Sequence, residues 1–406
     1  MAAKYDVIVV GARCAGAPTA MLLARKGYRV LVLDKAGFPS NTVSTHMIQA
    51  PGVVLLRRWG LLAEVIAAGT PPIEKYSFDF GCPGGNVRFS GTARMPDGFC
   101  TAYAPRRTIL DDILVRAAAV AGAEVREHFT VTDLVADNGV VTGVRGHGRS
   151  GVAVVEHADL VVGADGRNSL VAKLVGACTY NAHPVGQYQY YSYWSDLPMD
   201  GFEIVVRPHR VWAAQPTNDG LTMLAVAWPA REKHAFRSAI EANYLQTLEL
   251  APEFADRVRR ATRREPFVGA GVPNYFRKPY GPGWALVGDA AYLKDPITAL
   301  GITDAFRHAE LLADAIDRIR CGRMSFDAAM LEYQKTRDEA AQQVYEHTAH
   351  LAALEPLTAE FERVMRALAA GNTDAADQFA GINAGLVAPA DFFAPDNVER
   401  ILGSAP

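Results

Sequence analysis

Tyr5–Lys35, YDVIVVGARCAGAPTAMLLARKGYRVLVLDK, is the stretch that decides the fold. Tyr5–Val10 is a short β-branched apolar run that breaks at Gly11, the pattern of a buried strand. Gly16 opens a helical pattern with Ala20, Leu23 and Ala24 on one face; Gly27 stops it, and Val30–Leu33 is a second buried strand ending in Asp34. Strand, glycine turn, helix and strand make the βαβ dinucleotide-binding unit. Its glycines let backbone approach a pyrophosphate, which rests on the amides and positive dipole of the helix start. An acid about 20 residues further on accepts hydrogen bonds from a ribose hydroxyl. Gly11 and Gly16 match the first and third glycines, and Asp34 matches the acid. The expected cofactor contacts here are Gly11, Ala12, Arg13, Ala15, Gly16, Asp34 and Lys35. Arg13 replaces the second glycine, and its guanidinium is expected to turn outward beside the diphosphate or adenine.

The whole chain sets the frame. Its 406 residues suggest two or three compact units, and 50% hydrophobic with 21% charged residues is ordinary for a soluble globular protein. A net charge of −3 gives no electrostatic case for nucleic acid as main partner. No apolar run reaches the roughly 18 residues of a membrane span, and the chain enters its first strand with no charged-then-apolar leader. Cys14, Cys82, Cys100, Cys178 and Cys321 are scattered without a CxxC, so buried thiols are expected rather than disulfides or a metal site. The expectation is a cytoplasmic protein.

Beyond Asp34 the texture alternates. Pro51–Glu64 has helical spacing, and 73–103 breaks into short hairpin-like segments. Pro105–Val120 is helical again, and 122–148 reads as strands around the turn Asn138-Gly139. Leu160–Val162 is an apolar strand running into Gly163-Ala164-Asp165-Gly166, and Tyr180–Trp228 is strongly β in composition. Trp284–Val287 is a third short strand, ending in Gly288-Asp289; long helices follow from Ile302 and Phe326. The expected fold is therefore α/β: a three-layer Rossmann-like domain built from 1–72, 104–178 and 281–330, interleaved with a β-rich domain from 73–103 and 179–280, then a helical region over 331–406. Acids at the carboxyl ends of central strands face the crevice where α/β sheets take ligands. Three such ends suit a long ligand with adenosine, diphosphate, polyol and flat ring.

Taken together, GARCAG with Asp34, GADGRNSLVAKLVG and WALVGDAAYLKDPITALGITDAF resemble the motifs of the group A flavin-dependent monooxygenases, the p-hydroxybenzoate hydroxylase-like superfamily, to which geranylgeranyl reductases and flavin-dependent halogenases are related. The similarity covers roughly residues 5–330. It implies FAD, held by the first motif and by Asp165 and Gly166 of the second. It implies that Gly288 and Asp289 meet the ribityl chain, and that Pro296, Gly301 and Ile302 line the loop beside the isoalloxazine. Arg107 in RRTILDDIL resembles a helix-borne arginine that reaches the diphosphate or ribityl region, and Thr45 falls in the segment close to the ring. NAD(P)H is implied as a transient electron donor without a domain of its own. Tyr292 stands where hydroxylases of the family carry histidine, and PITALGITDAF is nearer to the reductase and halogenase branches. No Trp-x-Trp-x-Ile-Pro element is present.

Several residues have two readings. His46 either tunes flavin or steers substrate, or it is a loop histidine bonded to backbone. Cys14 is read as a small buried hydrophobe rather than a redox group. Tyr191, Tyr193, Trp212 and Trp228 line a pocket for an apolar or aromatic substrate, or are sheet core. Tyr292 is expected at the active-site rim. Arg257, Arg259, Arg260, Arg263 and Arg264 are a solvated face, or a dock for an NADPH phosphate.

The expected function is NAD(P)H-dependent monooxygenation. A flavin C4a-hydroperoxide would hydroxylate or epoxidise a medium-sized aromatic or apolar metabolite, with molecular oxygen as co-substrate. The alternatives are flavin-dependent reduction of isoprenoid or other alkene double bonds, and flavin binding without turnover. The flavin carries the chemistry, so no catalytic side chain is assigned beyond the candidates His46 and Tyr292.

Overall fold

The computed structural model describes residues 5–403, so residues 1–4 and 404–406 of the expected units lie outside the described residues. The fold is mixed α/β. A sheet with a parallel core runs in the order Tyr280–Gly281, Trp284–Leu286, Ala153–Gly163, Tyr5–Val10, Val30–Leu33, Glu124–Arg126. Its register explains why distant motifs meet. Val7–Val10 pairs with Val30–Leu33 on one side and with Leu160–Gly163 on the other, and Val161–Gly163 pairs with Trp284–Leu286. The strands end level, so Gly11, Asp34, Ala164 and Val287 emerge at one edge. Gly11, at φ +100°, lies so close to the second motif that a Cβ would meet the Ala164 carbonyl oxygen at 2.4 Å. Gly288, at φ +62°, would meet the Ala15 Cβ at 2.6 Å. Only glycine admits both the backbone angle and the approach.

A second sheet runs Thr262–Arg263, Gln187–Ser195, Thr222–Pro229, Arg210–Pro216, Phe202–Arg207, Tyr76–Phe80, Val87–Gly91. Side chains alternate between its faces. Tyr190, Trp212, Leu224, Val226 and Trp228 pack outward beneath the helices Lys233–Arg237, Ile240–Leu248 and Pro252–Arg260. Tyr191, Tyr193, Met223 and Ala225 occupy the inner face, which is tied to segment 44–49. Tyr76 OH donates to Gln49 Oε1 at 2.5 Å, and Gln215 Nε2 donates to the Thr45 carbonyl at 2.8 Å.

The C-terminal helices Ala359–Ala369, Thr373–Asn383 and Pro395–Gly403 cover the far end of that sheet. Phe361 and Phe379 pack on Phe80, and Phe379 also packs on Phe78 and Phe89. The cluster reaches Met47 and Ala299. The helix expected over Pro51–Glu64 is two: Ala50–Trp59 closes at Gly60, φ +81°, and Leu62–Ala67 restarts. A left-handed glycine cap ended a pattern whose apolar spacing runs on.

Candidate active site

The first glycine turn is braced from inside. Asp34, buried at the end of its strand, accepts from the Ala12 N–H at 2.7 Å and the Ala36 N–H at 2.8 Å, which fixes the turn against the strand end. Lys35 beside it is exposed. Helix Gly16–Arg25 starts with no side-chain cap and no acid in its first turn. Its positive end is therefore uncompensated, the condition that favours a bound anion.

Two arginines add charge. Arg107 opens helix Arg107–Val120 and is buried. It forks onto Asp111, one turn on, with Nε to Oδ1 at 3.0 Å and one terminal nitrogen to Oδ1 and Oδ2 at 2.8 and 3.0 Å. Arg13 pairs with the same carboxylate and donates to Ser40 Oγ at 2.9 Å, its guanidinium over the Phe38 ring. Its side chain thus turns out of the glycine turn, and it is already partnered. Two guanidiniums on one carboxylate leave one positive charge in excess beside the turn. Cys14 packs against this group, its thiol pushed up by burial, so it stays protonated and behaves as a small hydrophobe.

Asp289 is solvent-accessible as a residue, yet its carboxyl is densely surrounded by protein atoms. That enclosure holds its carboxyl above the usual carboxylate range, opposed first by Arg107 and then by Lys294 and Arg167. It borders a small cleft of about 20 Å³ with Gly288, Gly301 and the ion pair Lys294–Asp304. Pro296–Thr298 is a tight turn ending at Ala299, φ +52°, and Gly301 opens helix Gly301–Arg320 without a side-chain cap. A Cβ at Gly301 would meet nothing within 4 Å, and Ile302 behind it is buried. The elements fit an FAD: an uncapped helix start and excess cation for the diphosphate, a cleft-facing Asp289 for a polyol hydroxyl, and a second uncapped helix start toward which a flavin's pyrimidine edge can point.

Asp165 differs from its neighbours. Its side chain accepts from Ser169 Oγ at 2.5 Å and from the N–H groups of Leu170 and Val171 at 2.7 and 3.1 Å, so it caps the short helix Leu170–Leu174. Gly166 beside it has φ +76° and open space. Tyr292 is buried in a cluster with Phe276 and Tyr345, and it also lines the cleft beside Asp289. The four aromatic candidates separate by face: Tyr191 and Tyr193 point toward segment 44–46, whereas Trp212 and Trp228 are on the outer face, Trp228 Nε1 donating to Thr247 Oγ1 at 2.9 Å. The odd–even alternation required that split; which parity faces inward was not in the alternation itself. Of the arginine cluster, Arg257, Arg259 and Arg263 are ion-paired with Glu203, Glu249 and Glu241, the arrangement of a solvated face.

His46 ties segment 44–46 to the inner face of the antiparallel sheet. It is fully buried at φ +62°, its Nε2 bonded to the Tyr193 hydroxyl and its ring 5.7 Å from that of Tyr193 and 5.9 Å from that of Tyr191. Tyr191 OH accepts from the Ser44 N–H at 3.4 Å, and the Arg106 guanidinium lies 4.5 Å over the Tyr193 ring. Burial, then Arg107 and Arg106, lower His46 to about 3, so it is neutral. Sequence reasoning missed Asp111, Arg106, the Lys294–Asp304 pair and the buried Gln187 and Asp295. Only Asp111 had a signal, its four-residue spacing from Arg107.

A family model described as FAD binding domain matches residues 4–348. The chain is 27% identical over 367 residues to digeranylgeranylglycerophospholipid reductase of Methanothrix thermoacetophila, covering 85% of this chain and 86% of that one. It is 28% identical over 330 residues to 6-methylpretetramide 4-monooxygenase of Streptomyces rimosus, covering 76% and 74%. In fold it matches the flavin-dependent brominase Bmp2 with a TM-score of 0.82 at 19% identity, over 99% of this chain and 98% of that one. With that family model spanning residues 4–348, the chain belongs to the FAD binding domain family and is a flavin-dependent oxidoreductase.

Proposed function

We propose that the protein is an NAD(P)H-dependent monooxygenase that hydroxylates or epoxidises a medium-sized aromatic or apolar metabolite. The observation that carries the proposal is the buried contact between His46 and Tyr193, where the inner face of the antiparallel sheet closes on the segment between strand Val30–Leu33 and helix Ala50–Trp59. Bound FAD would supply electron transfer and oxygen activation; the protein's part is to position it and exclude water. Arg107 and the start of helix Gly16–Arg25 would hold the diphosphate, Asp289 a ribityl hydroxyl, and the Gly301 end the pyrimidine edge. Substrate would lie over the small inner-face residues Ala213 and Ala225, its one polar group toward the Tyr191 and Tyr193 hydroxyls, which burial keeps protonated. The assignment of the parallel sheet to cofactor, the antiparallel sheet to substrate and 331–406 to a helical cover belongs to the same proposal, as do NAD(P)H, molecular oxygen and a cytoplasmic location. No helix among the described residues is long and apolar enough to cross a membrane.

A second reading, reduction of an isoprenoid-like double bond, draws support from the phospholipid reductase relative and from the apolar Phe78–Phe89–Phe379 cluster reaching Ala299. Labelled oxygen separates the two. Turnover of NAD(P)H with label incorporated into product supports monooxygenation; saturated product formed without oxygen overturns it.

A further inference from the structure

Asp295 and Gln187 meet where the two sheets join. Asp295 opens the loop Pro296–Gly301 and is 1% exposed; Gln187 starts strand Gln187–Ser195 and is 0% exposed. Gln187 Nε2 donates to Asp295 Oδ1 at 2.6 Å, and the Ile297 N–H donates to the same oxygen at 3.0 Å. The Asp295 N–H donates to Asn274 Oδ1 at 2.6 Å. The second atom of each group, Asp295 Oδ2 and Gln187 Oε1, is buried with no hydrogen-bond partner. Both are acceptors when the carboxylate is ionised, and a buried charge without a counter-ion is costly.

Among the described residues no cation is paired with it. Lys294, adjacent in sequence, is paired with Asp304. Arg337, on helix Phe326–Ala352 behind the loop, is held by Asp338 and the carbonyls of Ala291 and Arg277. His347 on the same helix is lowered by burial and by His350 to about 4, hence neutral. Asn274, at the start of strand Asn274–Arg277, carries no charge.

We propose that Asp295 is a neutral carboxylic acid whose Oδ2–H donates to Gln187 Oε1, and that this cyclic acid–amide pair is the positioning contact that fastens the loop Pro296–Gly301 to the antiparallel sheet. One proton satisfies both orphaned atoms and removes the buried charge. Burial pushes the Asp295 carboxyl up to about 7, although the bonds from Gln187 and Ile297 pull the other way. Ionisation sets a charged Oδ2 against Gln187 Oε1 and loosens the loop. The protonation claim holds whichever reaction the flavin serves; only the cofactor readout below rests on FAD lying along this loop.

The test is a titration of the protein labelled with ¹³C at aspartate side chains, with FAD affinity measured across the same pH range. One aspartate should titrate near about 7, and FAD should bind more weakly above that pH, by up to about tenfold per unit. Asp295→Asn, whose amide can complete the pair permanently, should lose that resonance and make the affinity insensitive to pH in this range. Thermal stability gives a second readout: relative to Asp295→Asn, the natural chain should lose stability as pH rises from about 4 to about 7. The wild-type titration stands even if the variant fails to fold. An aspartate set titrating wholly within the usual carboxylate range overturns the proposal, as does an Asp295→Asn protein with an unchanged pH profile. A titrating Asp295 with constant FAD affinity would overturn the loop-positioning half alone.

Discussion

Arg107 and Asp111 face each other across one helical turn as a forked pair, 2.8–3.0 Å apart, beneath the first glycine turn. Asp111 is fully buried and also holds Arg13, so this carboxylate organises the positive charge at the proposed diphosphate site. Asp111→Ala leaves Arg107 buried without its partner and should cost about 3–5 kcal/mol in chemical denaturation. Arg107→Ala should weaken FAD binding by more than Arg13→Ala, because Arg13 is partly solvated and shares its charge with Ser40. Equal FAD affinities for the two variants would contradict that order.

Gly11 tests the convergence of the strand ends. Gly11→Ala must accommodate a methyl 2.4 Å from the Ala164 carbonyl oxygen at a φ of +100°. Purified Gly11→Ala is expected flavin-free, with a lowered melting temperature; a yellow, normally stable variant would show that the turn has slack.

The two faces of the antiparallel sheet give opposite expectations. Tyr193→Phe removes the partner of His46 Nε2 and should alter substrate KM or turnover at a stability cost of about 1 kcal/mol. Trp228→Phe removes the bond to Thr247 Oγ1 on the outer face and should lower stability by about 1–3 kcal/mol while leaving kinetic constants unchanged. Kinetic change in the tryptophan variant would mean that the substrate lies on the other face.

His46 and His308 are both lowered to about 3, chiefly by burial, and are neutral in the folded protein. A histidine depressed in the folded state takes up its proton on unfolding. Their contribution is therefore full above about pH 6.5 and is lost as pH falls toward about 3. The expected slope is roughly 1.4 kcal/mol per pH unit for each histidine. Denaturation at a series of pH values checks it, and His308→Gln should flatten the acid limb by about one proton.

Much of this site is written locally. The glycine turn, Asp34, Gly288 and Asp289 announce themselves because a close backbone approach and a strand-end acid leave residue types that nothing else explains. Tyr191 and Tyr193 were legible only as a pair of equal parity, since alternation names two faces without saying which meets segment 44–46. Asp165 looked like Asp34 in sequence, yet its side chain caps a helix, because Ser169 and two free amides lie within reach. The C-terminal helices were unreadable in role: their partners, Phe78, Phe80 and Phe89, lie far away in sequence. Gln187 and Asp295 are 108 residues apart, and nothing local links an amide at a strand start with an acid before a proline.

Oxygen use by the flavin separates monooxygenation from double-bond reduction. Anaerobic reduction of the holoprotein by NAD(P)H, followed by rapid mixing with oxygenated buffer in the presence of substrate, tests it directly. A transient blue-shifted absorbance before the oxidised flavin spectrum returns is the predicted result. Substrate saturation under anaerobic conditions, with slow single-phase reoxidation and no transient, would contradict monooxygenation and favour the reductase.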